Sequence, residues 1–460
     1  MNNKVFFNIK FPNSPKYFFY FLVLFILFSP ILAQQKQSKI SQRPHTSEIT
    51  ELLREAAVLI QSEKFSEAEP LLRRAIKLAP TNADAYNLLG IVLDQQEKIV
   101  EAEKSYRTSL KLNPNAVSPL ANLGVLLART KKYELAAQIF ENILKIAPAH
   151  PQATINLGLL YASLGRYDKA AELLQSADKF QPNSPDILFN LGLSLYHLQR
   201  LSEANAVFTD AAKLAPDSSE SFYYLGLIAF SLNQDETAAD YFDKAVILRP
   251  TYAEANFMLG EILRKNNQFA VAREFYEKAL AQNPSQPVNY IRLGGVFLAL
   301  NNLEKALEIF TKAAERFPNI PETYFFLAIT ARAKGNFDLA VASLRKSLFL
   351  RPENPDATAL LGAILADRSE IAEGEKLLRQ AAGLDKNHFN AHYDLGRLLI
   401  RNRRYEEALP FLQRASSLKP ENPDVHCQLF LTLSRLKRQP EAAQELVVYK
   451  KLTDESKNQK

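Results

Sequence analysis

Two patterns of hydrophobic and polar residues alternate along the chain. In one stretch, Leu157 and Tyr161 are spaced i and i+4 and mark one face of a helix. In the next stretch, Ala170, Leu174 and Ala177 are spaced i, i+4 and i+7 and mark one face of a second helix. The patterns predict pairs of short helices, each pair packed through these two faces.

The two patterns together repeat every 34 residues over most of the chain. Proline recurs at this interval, and Lys386 is the one interruption. The prolines are Pro80, Pro114, Pro148, Pro182, Pro216, Pro250, Pro284, Pro318, Pro352 and Pro420. Because proline lacks an N–H and clashes with the preceding turn, each is predicted to end the second helix of a pair. Counted from residue 49, the period gives twelve units, from 49–82 to 423–456.

Small residues also keep fixed positions in the unit. Glycine is the eighth residue of nine units and follows a leucine in each of them. Most units also have alanine at the position of Ala204. Four residues later, at the position of Phe208, most units have a large side chain. Small residues let two helices approach closely where they cross. A bulky substitution such as Gly192→Leu is therefore expected to overpack the crossing.

This set of positions resembles the tetratricopeptide repeat. The pattern of that repeat over 34 residues is a large residue, Leu-Gly, Ala, an aromatic residue, Ala and Pro, in this order. The resemblance covers residues 49–456. It implies an all-α fold, an α-solenoid of tandem helix-turn-helix units that forms a right-handed superhelix. The first helix of each unit would line its concave side. Glu55 and Phe430 deviate from the pattern in the first and last units, as terminal caps commonly do.

Residues 1–33 have the pattern of an export or anchoring segment. Three lysines and no acidic residue precede an apolar run, residues 17–28, that continues to Ala33. A basic flank, an apolar stretch and a small final residue are typical of a secretory signal, cleaved here after Ala33. The alternative is a retained anchor, with membrane contact only through residues 17–33. Both predictions place the repeats outside the cytoplasm, either exported to the periplasm or extracellular space or anchored to the membrane.

Composition and charge complete the organisation of the chain. Residues 34–48 are polar and are predicted to be a flexible tether, residues 49–456 the solenoid, and residues 457–460 a charged tail. The formal net charge is +6, and signal cleavage would remove three of the lysines. Such a mild charge does not suit nucleic-acid binding. The single cysteine, Cys427, excludes an internal disulfide.

Asparagine occupies the sixth position of three successive units. These residues are Asn122, Asn156 and Asn190. A side-chain amide offers both a donor and an acceptor, so a row of amides can bond the backbone of an extended peptide. The repeats of the O-linked N-acetylglucosamine transferases contain a similar ladder. The alternative interpretation is that the three asparagines are solvated polar positions.

Aromatic residues follow where the asparagine row ends. They are Phe189, Tyr223, Tyr224, Phe257, Phe325 and Phe326. Exposed together, they would form an apolar patch of the kind that marks interaction sites. Those at the fifth position of their units are expected to pack inward instead. Tyr223, Tyr224 and Phe326 are kept as peptide-binding candidates.

The eleventh unit offers a basic candidate. Arg397 and Arg401 are spaced i and i+4 and are predicted to share the groove face with His392. An acidic peptide or a carboxylate could dock there. The alternative interpretation is a solvated basic face.

Catalytic and metal-binding motifs are missing from the sequence. It contains no phosphate-binding loop, no GxSxG and no HExxH. His388 and His392 are spaced i and i+4, and His426 follows one unit later, but a zinc site would need another ligand, such as Asp394. No metal site, cofactor or enzymatic activity is predicted.

The sequence thus predicts a non-enzymatic scaffold or adaptor. It would bind peptide segments or partner proteins in its concave groove, in an envelope, secretion or assembly complex. The alternative is an accessory subunit that presents substrates to a separate enzyme, such as a glycosyltransferase. Other proteins or peptide segments are the expected partners, and nucleic acid is not.

Overall fold

The computed structural model describes residues 44–458, and this part of the chain consists of α-helices and turns without a strand. The helices are α1 (Pro44–Gln61), α2 (Phe65–Leu78), α3 (Ala83–Gln95), α4 (Ile99–Leu112), α5 (Val117–Arg129), α6 (Tyr133–Ile146), α7 (Pro151–Ser163), α8 (Tyr167–Phe180), α9 (Pro185–His197), α10 (Leu201–Leu214), α11 (Ser219–Ser231), α12 (Asp235–Leu248), α13 (Ala253–Lys265), α14 (Phe269–Gln282), α15 (Pro287–Ala299), α16 (Leu303–Arg316), α17 (Pro321–Ala333), α18 (Phe337–Leu350), α19 (Pro355–Asp367), α20 (Ile371–Leu384), α21 (Phe389–Arg401), α22 (Tyr405–Leu418), α23 (Pro423–Arg435) and α24 (Gln439–Asn458).

The helices are arranged in consecutive pairs within two compact units, α1–α12 and α13–α24. Inside each unit, every odd-numbered helix packs against the helix that follows it, and each pair packs against the next pair. First helices of successive pairs also touch one another, as α7 does α9 and α19 does α21. The predicted all-α array of tandem helix pairs is confirmed.

In nine of the twelve described pairs, the helices cross where a glycine faces a large side chain. A Cβ atom added to Gly226 would lie 2.6 Å from the ring of Phe242, and one added to Gly396 would lie 2.6 Å from Leu412. Phe242 and Leu412 are completely buried. The glycine therefore makes room for the large residue of the second helix, as the 34-residue pattern predicts.

The turn inside each pair contains one residue in the left-handed region, with φ between 55° and 76°. These residues are Glu63, Glu97, Lys131, Gly165, Gln199, Asn233, Asn267, Asn301, Gly335, Ser369, Arg403 and Lys437. The next N–H reaches back five residues, as Lys98 N does to Leu93 O over 2.8 Å, and closes a Schellman motif. Only two of these positions hold glycine, although a left-handed backbone favours it. Tertiary packing therefore holds the turns in this conformation.

The ends of the array differ slightly from the predicted boundaries. Helix α1 begins at Pro44, within the segment predicted as a tether, and α24 continues to Asn458, within the predicted tail. The predicted signal or anchor, residues 1–33, lies outside the described residues. Among residues 44–458, no helix combines the length and the apolar character that a membrane span requires.

Two adjacent glycines in α15 give a matched test of the crossing. A Cβ atom at Gly294 would overlap the buried ring of Phe310, whereas one at Gly295 would meet no atom within 4 Å. We expect Gly294→Ala to lower the free energy of unfolding by about 1–3 kcal/mol. Gly295→Ala should leave it unchanged or raise it by up to about 1 kcal/mol, because alanine has the higher helix propensity. Urea unfolding followed by circular dichroism compares the two. Equal stability of both variants would contradict the proposed role of the crossing.

Candidate functional site

The candidate surface is formed by the first helices. First helices of most successive repeats touch, as α1 does α3 and α21 does α23, so side chains at equivalent positions of these repeats come close to one another. The predicted binding residues all belong to these helices: Asn122 (α5), Asn156 (α7), Asn190 (α9), Tyr223 and Tyr224 (α11), Phe326 (α17), and Arg397 and Arg401 (α21).

Two of the three asparagines donate a hydrogen bond from the side-chain amide within the protein. Asn122 Nδ2 donates to Asn87 Oδ1 over 3.1 Å, and Asn87 Nδ2 donates to Ser118 Oγ over 3.2 Å, so these amides join α3 to α5. Asn190 Nδ2 donates to the carbonyl of Asp186 in its own helix over 2.8 Å. Both asparagines are half-buried.

Asn156 breaks the expected row. It is only 4% exposed, and its Nδ2 is buried without a hydrogen-bond partner, while its Oδ1 accepts from Gln152 over 3.3 Å. The reason lies in α7, which is buried on nearly every side, since Ile155 and Leu159 are also covered. The expectation of three exposed amides in register is therefore wrong at Asn156.

Tyr224 lies in a group of aromatic rings between α9 and α11. Its ring stacks on Phe208 at 5.2 Å between centroids, and it meets Phe189 at 5.8 Å and Tyr196 at 5.5 Å edge-on. Phe189, Tyr196 and Tyr224, here called the aromatic cluster, are each half-buried. Burial raises the pKa of Tyr196 and lowers that of the adjacent His197. The cluster is a partly desolvated apolar surface with two phenol groups.

The other predicted aromatic residues differ in burial according to their position in the repeat. Tyr223 is 7% exposed and packs on Phe242, so it is withdrawn from the predicted binding surface. Phe257 is completely buried, and inward packing is confirmed for these two fifth-position residues. Phe325 remains half-buried. Phe326 is half-buried too and stacks on Phe310 at 5.5 Å.

The two predicted arginines form ion pairs. Arg397 Nη1 lies 3.3 Å from Asp394 Oδ1, and Arg401 Nη1 lies 3.1 Å from Asp367 Oδ1. The Arg397 guanidinium also lies 5.6 Å from the ring centre of Tyr393. Burial raises the pKa of Asp394, and Arg397 partly opposes that shift. Because each arginine faces an aspartate, this part of α21 is close to neutral and favours an acidic ligand less than the sequence suggested.

A charged cluster on α13 and α15 was not predicted from the sequence. Glu261 Oε1 accepts from Arg292 Nε over 2.6 Å and from the Tyr276 hydroxyl, and Glu261 Oε2 accepts from Arg264 Nη2 over 3.2 Å. The side chains of Glu261 and Arg292 are 13% and 16% exposed. They occupy the ninth and sixth positions of their units, so the period that pointed to the asparagines could have pointed to them as well.

Three family models match the chain. One model of the tetratricopeptide repeat matches residues 127–191, and another matches residues 53–117, 92–151 and 189–253. A third, described as the Cilia and flagella-associated protein 70 C-terminal domain, matches residues 231–460, half of the chain. The chain belongs to the tetratricopeptide repeat family. No curated protein sequence matches it.

Solved structures resemble this tetratricopeptide repeat protein at low sequence identity. YrrB, described as a TPR protein with an unusual peptide-binding site, is 23% identical, with a TM-score of 0.39 over 40% of this chain and 95% of YrrB. The APC/C hetero-tetramer Cut9–Hcn1 is 14% identical, with a TM-score of 0.45 over 88% and 94% of the two chains. Yeast Tom70 is 16% identical, with a TM-score of 0.38 over 87% and 99%.

The histidines of this tetratricopeptide repeat protein bond to separate partners. His388 Nε2 lies 3.1 Å from Asp356 Oδ1, which holds the pKa of that carboxyl below its usual value. His392 Nε2 lies 3.1 Å from the carbonyl of Lys386, and His426 Nε2 lies 2.9 Å from that of Pro420. Within the described residues, no group of three His, Cys, Asp or Glu side chains could hold a metal ion.

Glu261 allows a pH-dependent test of the missed cluster. Burial tends to raise its pKa, but Arg292, the Tyr276 hydroxyl and Arg264 outweigh burial, so the pKa lies below its ordinary value of 4.5. Ionised Glu261 therefore contributes stability that is present above about pH 4.5 and lost as the pH falls through the lower folded pKa. We expect Glu261→Gln to cost about 1–3 kcal/mol at neutral pH. Urea unfolding between pH 7 and 3 should show a flatter stability profile for the variant.

Glu353→Gln is the matched control, because Glu353 is exposed and lies in the same compact unit. Its stability profile should follow that of the wild type. If Glu261→Gln and Glu353→Gln gave the same profile, the cluster would contribute nothing to the stability of α13 and α15.

Proposed function

We propose that this protein is a non-enzymatic scaffold or adaptor that binds peptide segments of partner proteins along its first helices. The observation that supports the proposal most directly is the aromatic cluster. Its three rings come from first helices of two adjacent repeats, α9 and α11, and each is half-buried. Asn190, which is half-buried, follows Phe189 on the same helix.

The cluster has the physical properties of a peptide anchor. Aromatic side chains bury a large area and lose little conformational entropy on binding, and they dominate many binding interfaces. The ring of Tyr224 is already fixed by its stacking on the buried Phe208, so binding would not have to order it. An apolar peptide side chain could cover the rings, while the tyrosine hydroxyls and the Asn190 amide supply hydrogen bonds.

The remaining predicted residues would contribute unequally to peptide binding. Asn122 and Asn190 are half-buried, and Phe326 offers another half-buried ring on α17. Arg397 and Arg401 would contact a ligand only together with their paired aspartates. Asn156 and Tyr223 are buried, so neither side chain is proposed to contact the peptide.

We also propose that the repeats lie outside the cytoplasm, exported or anchored by residues 1–33, and act in an envelope, secretion or assembly complex. This part rests on the basic and apolar pattern of residues 1–33 alone. Presentation of substrates to a separate enzyme, such as a glycosyltransferase, is the alternative use of the same surface.

Peptides selected on the wild-type protein from a random displayed library test the anchor. We expect Tyr224→Ala to weaken their binding about tenfold, because the ring supplies buried apolar area, and Tyr224→Phe to retain most of it. Fluorescence anisotropy of a labelled peptide measures the affinities. Circular dichroism checks that both variants keep their helices.

Phe349→Ala is the control for this experiment, because Phe349 is 77% exposed on a second helix, α18. It should bind the selected peptides as the wild type does. If the selected peptides bound Tyr224→Ala and Tyr196→Ala with unchanged affinity, the aromatic cluster would not be the binding surface.

The proposed location has its own test. We expect the mature protein from producing cells to begin at Gln34, since the small residue Ala33 ends the apolar segment. Mass spectrometry of the intact protein and N-terminal sequencing determine this terminus. A retained N-terminal segment in the membrane fraction would identify an anchor, and an uncleaved chain in the cytosolic fraction would contradict export.

A further inference from the structure

A row of lysines lies on the second helices of the first compact unit. The twenty-ninth residue of five successive repeats is an exposed lysine in the last helical turn. These residues are Lys77, Lys111, Lys145, Lys179 and Lys213. The later repeats have Ile247, Ala281, Glu315, Phe349, Gly383 and Ser417 at this position, and the last has Lys451, which lies 3.9 Å from Glu455. The row of successive lysines is therefore confined to the N-terminal repeats.

Most of this charge is not neutralised by acidic side chains. Lys213 lies 2.8 Å from Asp210, but the structure shows no ion pair for the other four lysines within residues 44–458. Other lysines of these repeats do form ion pairs: Lys98 lies 3.0 Å from Glu69, and Lys132 lies 2.9 Å from Glu103. The row therefore carries net positive charge on a surface whose other cations are largely paired.

Stabilisation of helix ends does not account for the row. A lysine in the last turn interacts favourably with the helix dipole, and this effect would apply equally to every second helix. Yet α12, α14, α18, α20 and α22 end without a basic residue in the last turn. The fold thus tolerates other residues at this position, and the lysines point to an external ligand.

An exposed apolar side chain follows each lysine in sequence. These residues are Leu78, Leu112, Ile146, Phe180 and Leu214, and they are between 38% and 44% exposed. Five repeats therefore present a lysine beside an apolar group at the same place on the second helix. We call these ten residues the lysine–apolar stripe.

We propose that the lysine–apolar stripe binds the surface of an anionic lipid bilayer. Phosphate headgroups would meet the lysines, and the apolar side chains would reach the boundary between headgroups and acyl chains. A bilayer is also an extended surface that can contact several repeats at once. The stripe occupies the repeats that follow the basic and apolar N-terminal segment, where a membrane would be near. This surface is separate from the aromatic cluster, so the proposal does not depend on peptide binding.

Charge removal in the full chain tests the proposal. Lys77, Lys111, Lys145 and Lys179 are replaced together by glutamine, and the control replaces Lys376, Lys386, Lys437 and Lys450, four exposed lysines of the second unit. Both variants have the same net charge. Sedimentation with vesicles of phosphatidylcholine, with or without about one third phosphatidylglycerol, measures binding. We expect the first variant alone to bind the anionic vesicles at least about tenfold more weakly.

A tryptophan reporter separates the stripe from insertion of residues 17–33, which could bind vesicles by itself. The chain contains no tryptophan, so Phe180→Trp places a single reporter in the stripe, and Phe349→Trp places one on an exposed second helix outside it. We expect anionic vesicles to shift the emission of Phe180→Trp to the blue. The shift should vanish in the lysine-to-glutamine background, and Phe349→Trp should not respond.

Two outcomes would overturn the proposal. One is an emission of Phe180→Trp that anionic vesicles leave unchanged, or shift equally with and without the four lysines. The other is a response of the same reporter to polyglutamate or duplex DNA but not to vesicles, which would assign the stripe to an acidic polymer. Circular dichroism of the two lysine variants confirms that each remains folded.

Discussion

The close crossing of two helices is the constraint on which the rest of this structure depends. In most repeats a glycine of the first helix faces a large side chain of the second, as Gly226 faces Phe242. Repeat ten solves the same problem differently, because Gly374 stands where other units have alanine. There the helices approach backbone to backbone, since a Cβ atom on Gly374 would lie 2.8 Å from the amide nitrogen of Ala366. Different residue types can therefore occupy a crossing, but together they must fit the same small volume between the two helices.

The turn between repeats depends on a second constraint, the need to pair backbone carbonyl groups. Asn256, His392 and His426 occupy the same place in their units, and each bonds the carbonyl six residues earlier, at Pro250, Lys386 and Pro420. Three positions of the chain thus satisfy one backbone requirement with either an amide or an imidazole. Two of the three histidines that suggested metal chemistry in the sequence, His392 and His426, belong to this structural set.

The sequence predicted the fold almost fully and the candidate surface only in part, and the reason is physical. Helix pairs, crossings and the terminal proline follow from contacts inside one 34-residue unit, so the repeated residues reveal them. Exposure on a first helix depends on the neighbouring repeats as well. Asn122 and Asn156 occupy equivalent positions, yet only Asn156 is buried, because α7 is covered on nearly every side. The Asp367 partner of Arg401 stands one period earlier and would have been found by comparing adjacent units.

Because packing uses only some positions of the unit, the remaining positions can vary independently on the first and second helices. On the first helices, charged groups are held by neighbours, as in the Glu261 cluster and the Arg397–Asp394 pair. On the second helices of the N-terminal repeats, most lysines of the stripe have no such neighbour. The modest net charge of +6 therefore conceals an uneven distribution. A ligand recognised by charge would meet the second helices, and one recognised by aromatic and amide groups would meet the first.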